Sequence, residues 1–174
     1  SGVISNGGLT KDGAGTLVLS GTNTFTGPLT VSAGQVNLNN GAAVADTAAV
    51  NVASGATVLL NDDETIGSLS GVAGALVDLN GHGMSLGGNN LNTTYAGVID
   101  GGATDGVGKD GTGVFTLAGD NTYGGETTVN AGTLYLTGSV DGDVRVNGGV
   151  LTFGNNDAIA AGKQLLIFGG ALAS

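Results

Sequence analysis

The sequence has no cysteine and no tryptophan, and only one proline, one histidine and one methionine. Each scarcity removes a possibility. Without cysteine there is neither a disulfide framework nor a Cys-based zinc site. With 4% aromatic and 10% charged residues, the core must come from Val, Leu, Ile and Ala. Four basic residues face fourteen carboxylates, and the resulting formal charge of -10 repels a phosphate backbone, which argues against nucleic acid and anionic membrane as partners. Uninterrupted apolar runs reach about four residues, as at Leu165 to Phe168, far short of the roughly 20 that a membrane-spanning helix needs.

What is abundant is glycine, with 36 residues, in a chain that is 40% hydrophobic with a mean hydropathy of +0.26. Such a chain is too apolar to remain disordered. It is also poorly suited to helix, because glycine costs about 1 kcal/mol per helical position relative to alanine. The chain opens at Ser1-Gly2-Val3-Ile4 without an initiator methionine or leader pattern and stops at Ala171-Leu172-Ala173-Ser174, so it is expected to be a piece of something longer.

An internal repeat organises the chain. At an offset of 98, residues 11–38 (KDGAGTLVLSGTNTFTGPLTVSAGQVNL) align with residues 109–136 (KDGTGVFTLAGDNTYGGETTVNAGTLYL), and 14 of the 28 positions are identical. Gly2-Val3-Ile4 and Gly97-Val98-Ile99 stand upstream of the two copies. A shorter unit recurs too, because Val31, Val52, Val129 and Val146 are each followed three residues later by Gly34, Gly55, Gly132 and Gly149. Spacings near 20 suit solenoid rungs, in which no unit buries its own apolar face and stability comes from stacking.

Within a unit the residues read strand, glycine corner, strand: Thr127-Thr128-Val129-Asn130, then Ala131-Gly132, then Thr133-Leu134-Tyr135-Leu136. The next unit runs Val144-Arg145-Val146-Asn147, Gly148-Gly149, Val150-Leu151-Thr152-Phe153, and period 2 sets Val144 and Val146 against Arg145 and Asn147. Corner glycines supply the positive φ of a sharp turn. The expected fold is all-β: a right-handed parallel β-helix (β-solenoid) with about 20 residues per rung and about eight rungs, residues 1–174 forming a single segment. Val129 and Val146 are expected to stack inward in register. Residues 42–49 and 156–161, both rich in alanine, are expected to be loops or short helices bulging from a corner.

The runs Gly15-Thr16-Leu17-Val18-Leu19-Ser20-Gly21-Thr22-Asn23-Thr24-Phe25-Thr26-Gly27 and Thr30-Val31-Ser32-Ala33-Gly34 resemble the autotransporter-associated β-strand repeat of bacterial passenger domains. Residues 113–125 with 128–132 form the second copy, and Leu76-Val77-Asp78-Leu79-Asn80-Gly81 is similar to the segment that often precedes such a repeat. Pro28 after Gly27, and Gly124 in place of Thr26, depart from the pattern at one corner. The resemblance implies an extracellular passenger at the bacterial cell surface, attached to a membrane only through a C-terminal β-barrel absent from this chain. Its implied work is a non-catalytic adhesive or display rod, acting in adhesion, aggregation or biofilm formation, with a host or bacterial receptor, a glycan or a second copy of itself as partner.

Catalytic and metal chemistry find little support. His82 in Asn80-Gly81-His82-Gly83 has no second histidine and no nucleophile beside it, and reads as a solvated turn residue. Asp62, Asp63 and Glu64 read as a solvated tip, and Asp141 and Asp143 flank Gly142 in a turn. A carboxylate pair in a groove would favour the rival reading, a polysaccharide-acting β-helix enzyme. Asp100, Asp105 and Asp110 form the nearest approach to a calcium loop, around Gly101-Gly102-Ala103-Thr104-Asp105-Gly106, but that glycine-rich motif occurs once where such sites stack many copies. No cofactor is expected. Asn23 and Asn121, equivalent in the two copies, read as internal amides capping a turn or forming a ladder, and Phe25 and Tyr123 as covers for a corner of the core. A purely mechanical spacer for a distal adhesive tip is the remaining alternative.

Overall fold

The computed structural model describes residues 2–173; Ser1 and Ser174, the terminal residues of the expected segment, lie outside the described residues. The chain coils, and each coil lays its strands on those of the coil before. The first two coils carry β1 (Leu9–Lys11) and β2 (Thr16–Leu19), then β3 (Leu29–Val31) and β4 (Gln35–Leu38). Three coils with three strands each follow: β5 (Ala49–Val52), β6 (Thr57–Leu60) and β7 (Glu64–Ile66); β8 (Ser68–Gly71), β9 (Leu76–Asp78) and β10 (Met84–Leu86); β11 (Thr93–Tyr95), β12 (Val98–Asp100) and β13 (Val107–Lys109). The last coils hold β14 (Val114–Leu117) and β15 (Thr127–Val129), β16 (Thr133–Leu136) and β17 (Val144–Val146), β18 (Val150–Phe153) and β19 (Leu165–Ile167), and β20 (Ala171–Ala173) begins one more. The described residues contain no helix.

These strands form three parallel sheets. The first runs β1-β3-β5-β8-β11-β14-β16-β18-β20, the second β19-β17-β15-β13-β10-β7 and the third β12-β9-β6-β4-β2. Eight coils at the 4.8 Å strand spacing give a column roughly 40 Å long. Alternation does the sorting: Val36 and Leu38 of β4, Val58 and Leu60 of β6, and Phe115 and Leu117 of β14 point inward and are buried, while the residues between them face out. Each coil thereby covers the apolar cross-section of its neighbour, and one continuous core runs along the column.

Val129 and Val146 stack in register and both are fully buried, as their shared position in the unit requires. Val31 and Val52 stack likewise, but in the first sheet, whereas Val129 and Val146 lie in the second. The same shift moves the whole repeat. Lys11 pairs with Val31 in the first sheet, and its equivalent Lys109 pairs with Val129 in the second. The cause is coil length. Along the first sheet successive partners are 17 residues apart between Leu136 and Phe153 and 24 apart between Gly71 and Tyr95. An offset of 98 is therefore not a whole number of coils, and the two copies present equivalent residues on different sides.

Gly34, Gly55 and Gly132 turn their corners at φ of 70°, 76° and 62°. Gly149 does not take a left-handed conformation; a Cβ there would lie 2.7 Å from the Val129 Cγ1 beneath it, so its glycine is a matter of close packing.

Residues 42–48 are a loop with no helix, and instead of bulging outward they tuck Ala43, Val44 and Ala48 into the core, filling a side of the second coil that has no strand. Residues 156–161 are also irregular, with Ala158 buried and Ile159 bridging to Val140. In both places the core is continued by side chains where the backbone ladder lapses.

Candidate functional site

The residues that recur in both repeat copies are mostly spent on holding coils together. Lys109 is buried, and its Nζ donates to three peptide oxygens, those of Asp110 (2.6 Å), Gly111 (3.0 Å) and Ala131 (3.1 Å). Lys11 does the same at Asp12, Gly13 and Ala33. An ammonium has three donors, and here each finds a corner carbonyl, two from its own coil and one from the next. Burial lowers the Lys109 pKa below the usual lysine value, with Asp110 opposing the shift. Asn121 joins three coils: its Oδ1 accepts from the Ile99 N–H at 2.9 Å, and its Nδ2 donates to the carbonyls of Gly119 (2.7 Å) and Ser139 (2.9 Å). Asn23 repeats this with Ile4, Gly21 and Ala43. These amides cap turns; the side-chain ladder is made elsewhere, by Asn39, Asn61 and Asn80.

Phe25 and Tyr123 are both fully buried, and the tyrosine hydroxyl meets the Thr127 hydroxyl at 2.7 Å. The first copy has Leu29 where the second has Thr127, so the polar pair arrives together. Nothing in the lysine's sequence context marked it as internal; the signal available was its recurrence ahead of Asp-Gly in both copies.

Two acids are inside the column as well. Glu64 does not share the exposure of Asp62 and Asp63: it begins β7, where alternation turns it inward with Ile66, and only 3% of it is accessible. Its Oε1 accepts from Val44 N–H at 3.0 Å and its Oε2 from Ala43 N–H at 3.3 Å, which ties the loop of the second coil to the third. Burial pushes its pKa up to about 7; the two N–H groups oppose this, and Asp46 and Asp62 add to it. Asp105 is buried too. Burial alone would raise its pKa, but N–H bonds to its Oδ2 from Gly102 (2.8 Å) and Gly81 (2.7 Å), with the Thr104 hydroxyl at Oδ1, hold it below the usual aspartate value.

Asp105 thus meets donors, while the other two members of the calcium candidate are elsewhere: Asp100 accepts from the Thr122 hydroxyl and Asp110 from the Asn130 amide. Among the described residues no group of three or more His, Cys, Asp or Glu side chains is placed to hold a metal ion. Asp143 accepts from the Gln164 N–H, and Asp141 is exposed across Gly142 from it.

A polar groove of about 560 Å³ lies over the second sheet. Its floor is the outward row Thr65, Ser85, Gly108 and Thr128, one residue from each of four neighbouring strands in register. Asp63, His82 and Glu126 all stand along one side of it, where the chain enters these strands, with Asp63 at the first strand and Glu126 at the last, and Asn130 lies on the other side. Asp63 Oδ1 accepts from the Gly83 N–H at 2.7 Å, and His82 Nδ1 is 3.7 Å from it. His82 sits in a turn, its N–H bonded to the Leu79 carbonyl, with a partly accessible side chain. Glu126 Oε1 accepts from Arg145 Nε at 2.7 Å, and the same guanidinium lies 5.0 Å from the Phe168 ring centroid. Both groove carboxylates therefore already have partners, and the acid whose pKa is raised, Glu64, points its oxygens at backbone amides.

The passenger-associated-transport-repeat matches residues 9–38 and 108–136, which contain the two copies described above. Over 179 aligned residues the chain is 36% identical to a protein of Brucella suis biovar 1 (strain 1330) named as the adhesin BmaC autotransporter, in an alignment that takes in 98% of this chain and 5% of that protein. The chain thus spans about a twentieth of the length of the curated relative it matches. No solved structure matches it.

Proposed function

From the premise that the chain is an autotransporter passenger segment built on passenger-associated-transport-repeats, we propose that it forms part of a non-catalytic adhesive rod displayed outside a bacterial cell. The observation that carries this reading is the identity to an autotransporter adhesin across nearly the whole of this chain. The physical design suits the role. A column in which every coil covers its neighbour stays extended without disulfides, and it repeats shallow polar faces along its length, so that weak contacts add up by multivalency. The net charge of -10 keeps such rods soluble and apart.

The test is to couple the protein to beads and measure their retention on host cells, extracellular matrix and bacterial surfaces under flow. Adhesive function predicts retention above that of beads carrying an unrelated acidic protein, reduced by soluble protein. Retention equal to the control on every surface would leave the mechanical spacer as the better reading.

A further inference from the structure

The groove over the second sheet contains a glycine that the fold does not ask for. Gly108 is the outward residue in the middle of β13, between Ser85 on one side and Thr128 on the other. Its φ lies outside the left-handed region, and the nearest atom to a Cβ built there is the rotatable Ser85 hydroxyl at 3.1 Å. The chain supplies its own control, because the first repeat copy has Thr10 at the equivalent place, between Leu9 and Lys11, where the second has Gly108 between Val107 and Lys109. A strand-interior glycine weakens a sheet and is kept for a bulge, a tight bend or the close approach of a ligand or backbone, and Gly108 sits in unbroken register with no bulge. Here it opens a notch at the centre of the groove floor.

We propose that this groove, centred on Gly108, binds a neutral oligosaccharide. The inference rests on the adhesive reading above and names its ligand. The lining is the argument for the class: Thr65, Ser85 and Thr128 face outward in a row, and along one side of that row Asp63 and Glu126 add carboxylates at its two ends, three strand steps apart. Sugar hydroxyls both donate and accept, and this mixture serves both needs. The charge of -10 disfavours an anionic glycan. A metal ion finds no cluster here, because Asp63 and Glu126 stand three strand steps apart and, among the described residues, no group of three or more His, Cys, Asp or Glu side chains is placed to hold one. The groove is open and crosses four coils, about 14 Å from Thr65 to Thr128 at the strand spacing, which fits an extended chain better than a compact ligand.

Backbone amide shifts of the ¹⁵N-labelled protein, titrated with neutral gluco-, galacto-, manno- and chito-tetrasaccharides and with heparin as the anionic comparison, test this. Expected is saturable movement of the Ser85, Gly108 and Thr128 amides with at least one neutral tetrasaccharide. Gly108→Thr, which installs the residue of the other copy, should weaken that binding about tenfold or more while leaving the melting curve in place. Ser85→Ala should weaken it as well. The proposal falls if no neutral probe moves these amides, if heparin alone does, or if Gly108→Thr binds as the parent does. Retention of protein-coated beads on cells, with no competition from these sugars, would leave the adhesive reading standing and sink only the groove.

Discussion

Glu64 makes the column sensitive to pH near neutrality. Its folded pKa is raised to about 7 from an ordinary value of 4.5, chiefly by burial, so the protonated form is favoured by folding. The sign follows: its contribution to stability is fully present below pH 4.5 and is lost as pH rises through 7. From pH 5 to pH 8 this group should remove on the order of 3 kcal/mol from the unfolding free energy. Asp105, held below its ordinary value, acts in the opposite sense and at lower pH. Urea midpoints measured at pH 5 and pH 8 on the parent and Glu64→Gln separate the two. The parent should lose stability relative to the variant as pH rises, and parallel profiles would contradict the assignment. The sequence hides this residue, because Asp62-Asp63-Glu64 looks like one acidic tip. The alternation Glu64-Thr65-Ile66 was the only cue that the third acid turns inward.

At the scale of the element, the corners are where polar chemistry is concentrated. A strand carries its own ladder of hydrogen bonds, but a corner leaves carbonyls that must be satisfied in some other way. The two repeat copies solve this with a buried lysine whose ammonium binds three of them, once ahead of β2 and once ahead of β14. Lys109→Met keeps the apolar stem and removes the head, leaving three carbonyls without that donor. A loss of about 3 kcal/mol is expected, read as a shift in urea midpoint at constant slope. Lys11→Met should cost less, because Lys11 retains 9% accessibility against 2% for Lys109 and water can replace part of its work. Equal losses at the two sites would contradict this ordering. The strands themselves were legible from period 2 and the Val-to-Gly spacing. The inward lysine was not, since a single charged residue beside Asp-Gly reads as a surface turn.

At the scale of the molecule, parallel stacking and rung length could be read from the repeats, whereas the placement of each copy around the column could not. Coils of unequal length, with the 24 residues between Gly71 and Tyr95 the longest step in the first sheet, rotate the second copy onto another side. That rotation puts the Gly108 notch on the second sheet, while Thr10 of the first copy lies on the first. The groove is thus a product of the whole column and not of the repeat alone. Everything proposed about its faces rests on one claim, that the strands form a single continuous parallel stack in this register. The absence of native cysteine allows a direct test, with nitroxide labels on Thr10→Cys in the first strand and Thr152→Cys in the penultimate strand of the first sheet, outward positions seven strand steps apart. Pulsed dipolar spectroscopy should return one narrow distance near 34 Å, widened only by the label tethers. A broad distribution, or a single distance far from that value, would contradict the stack.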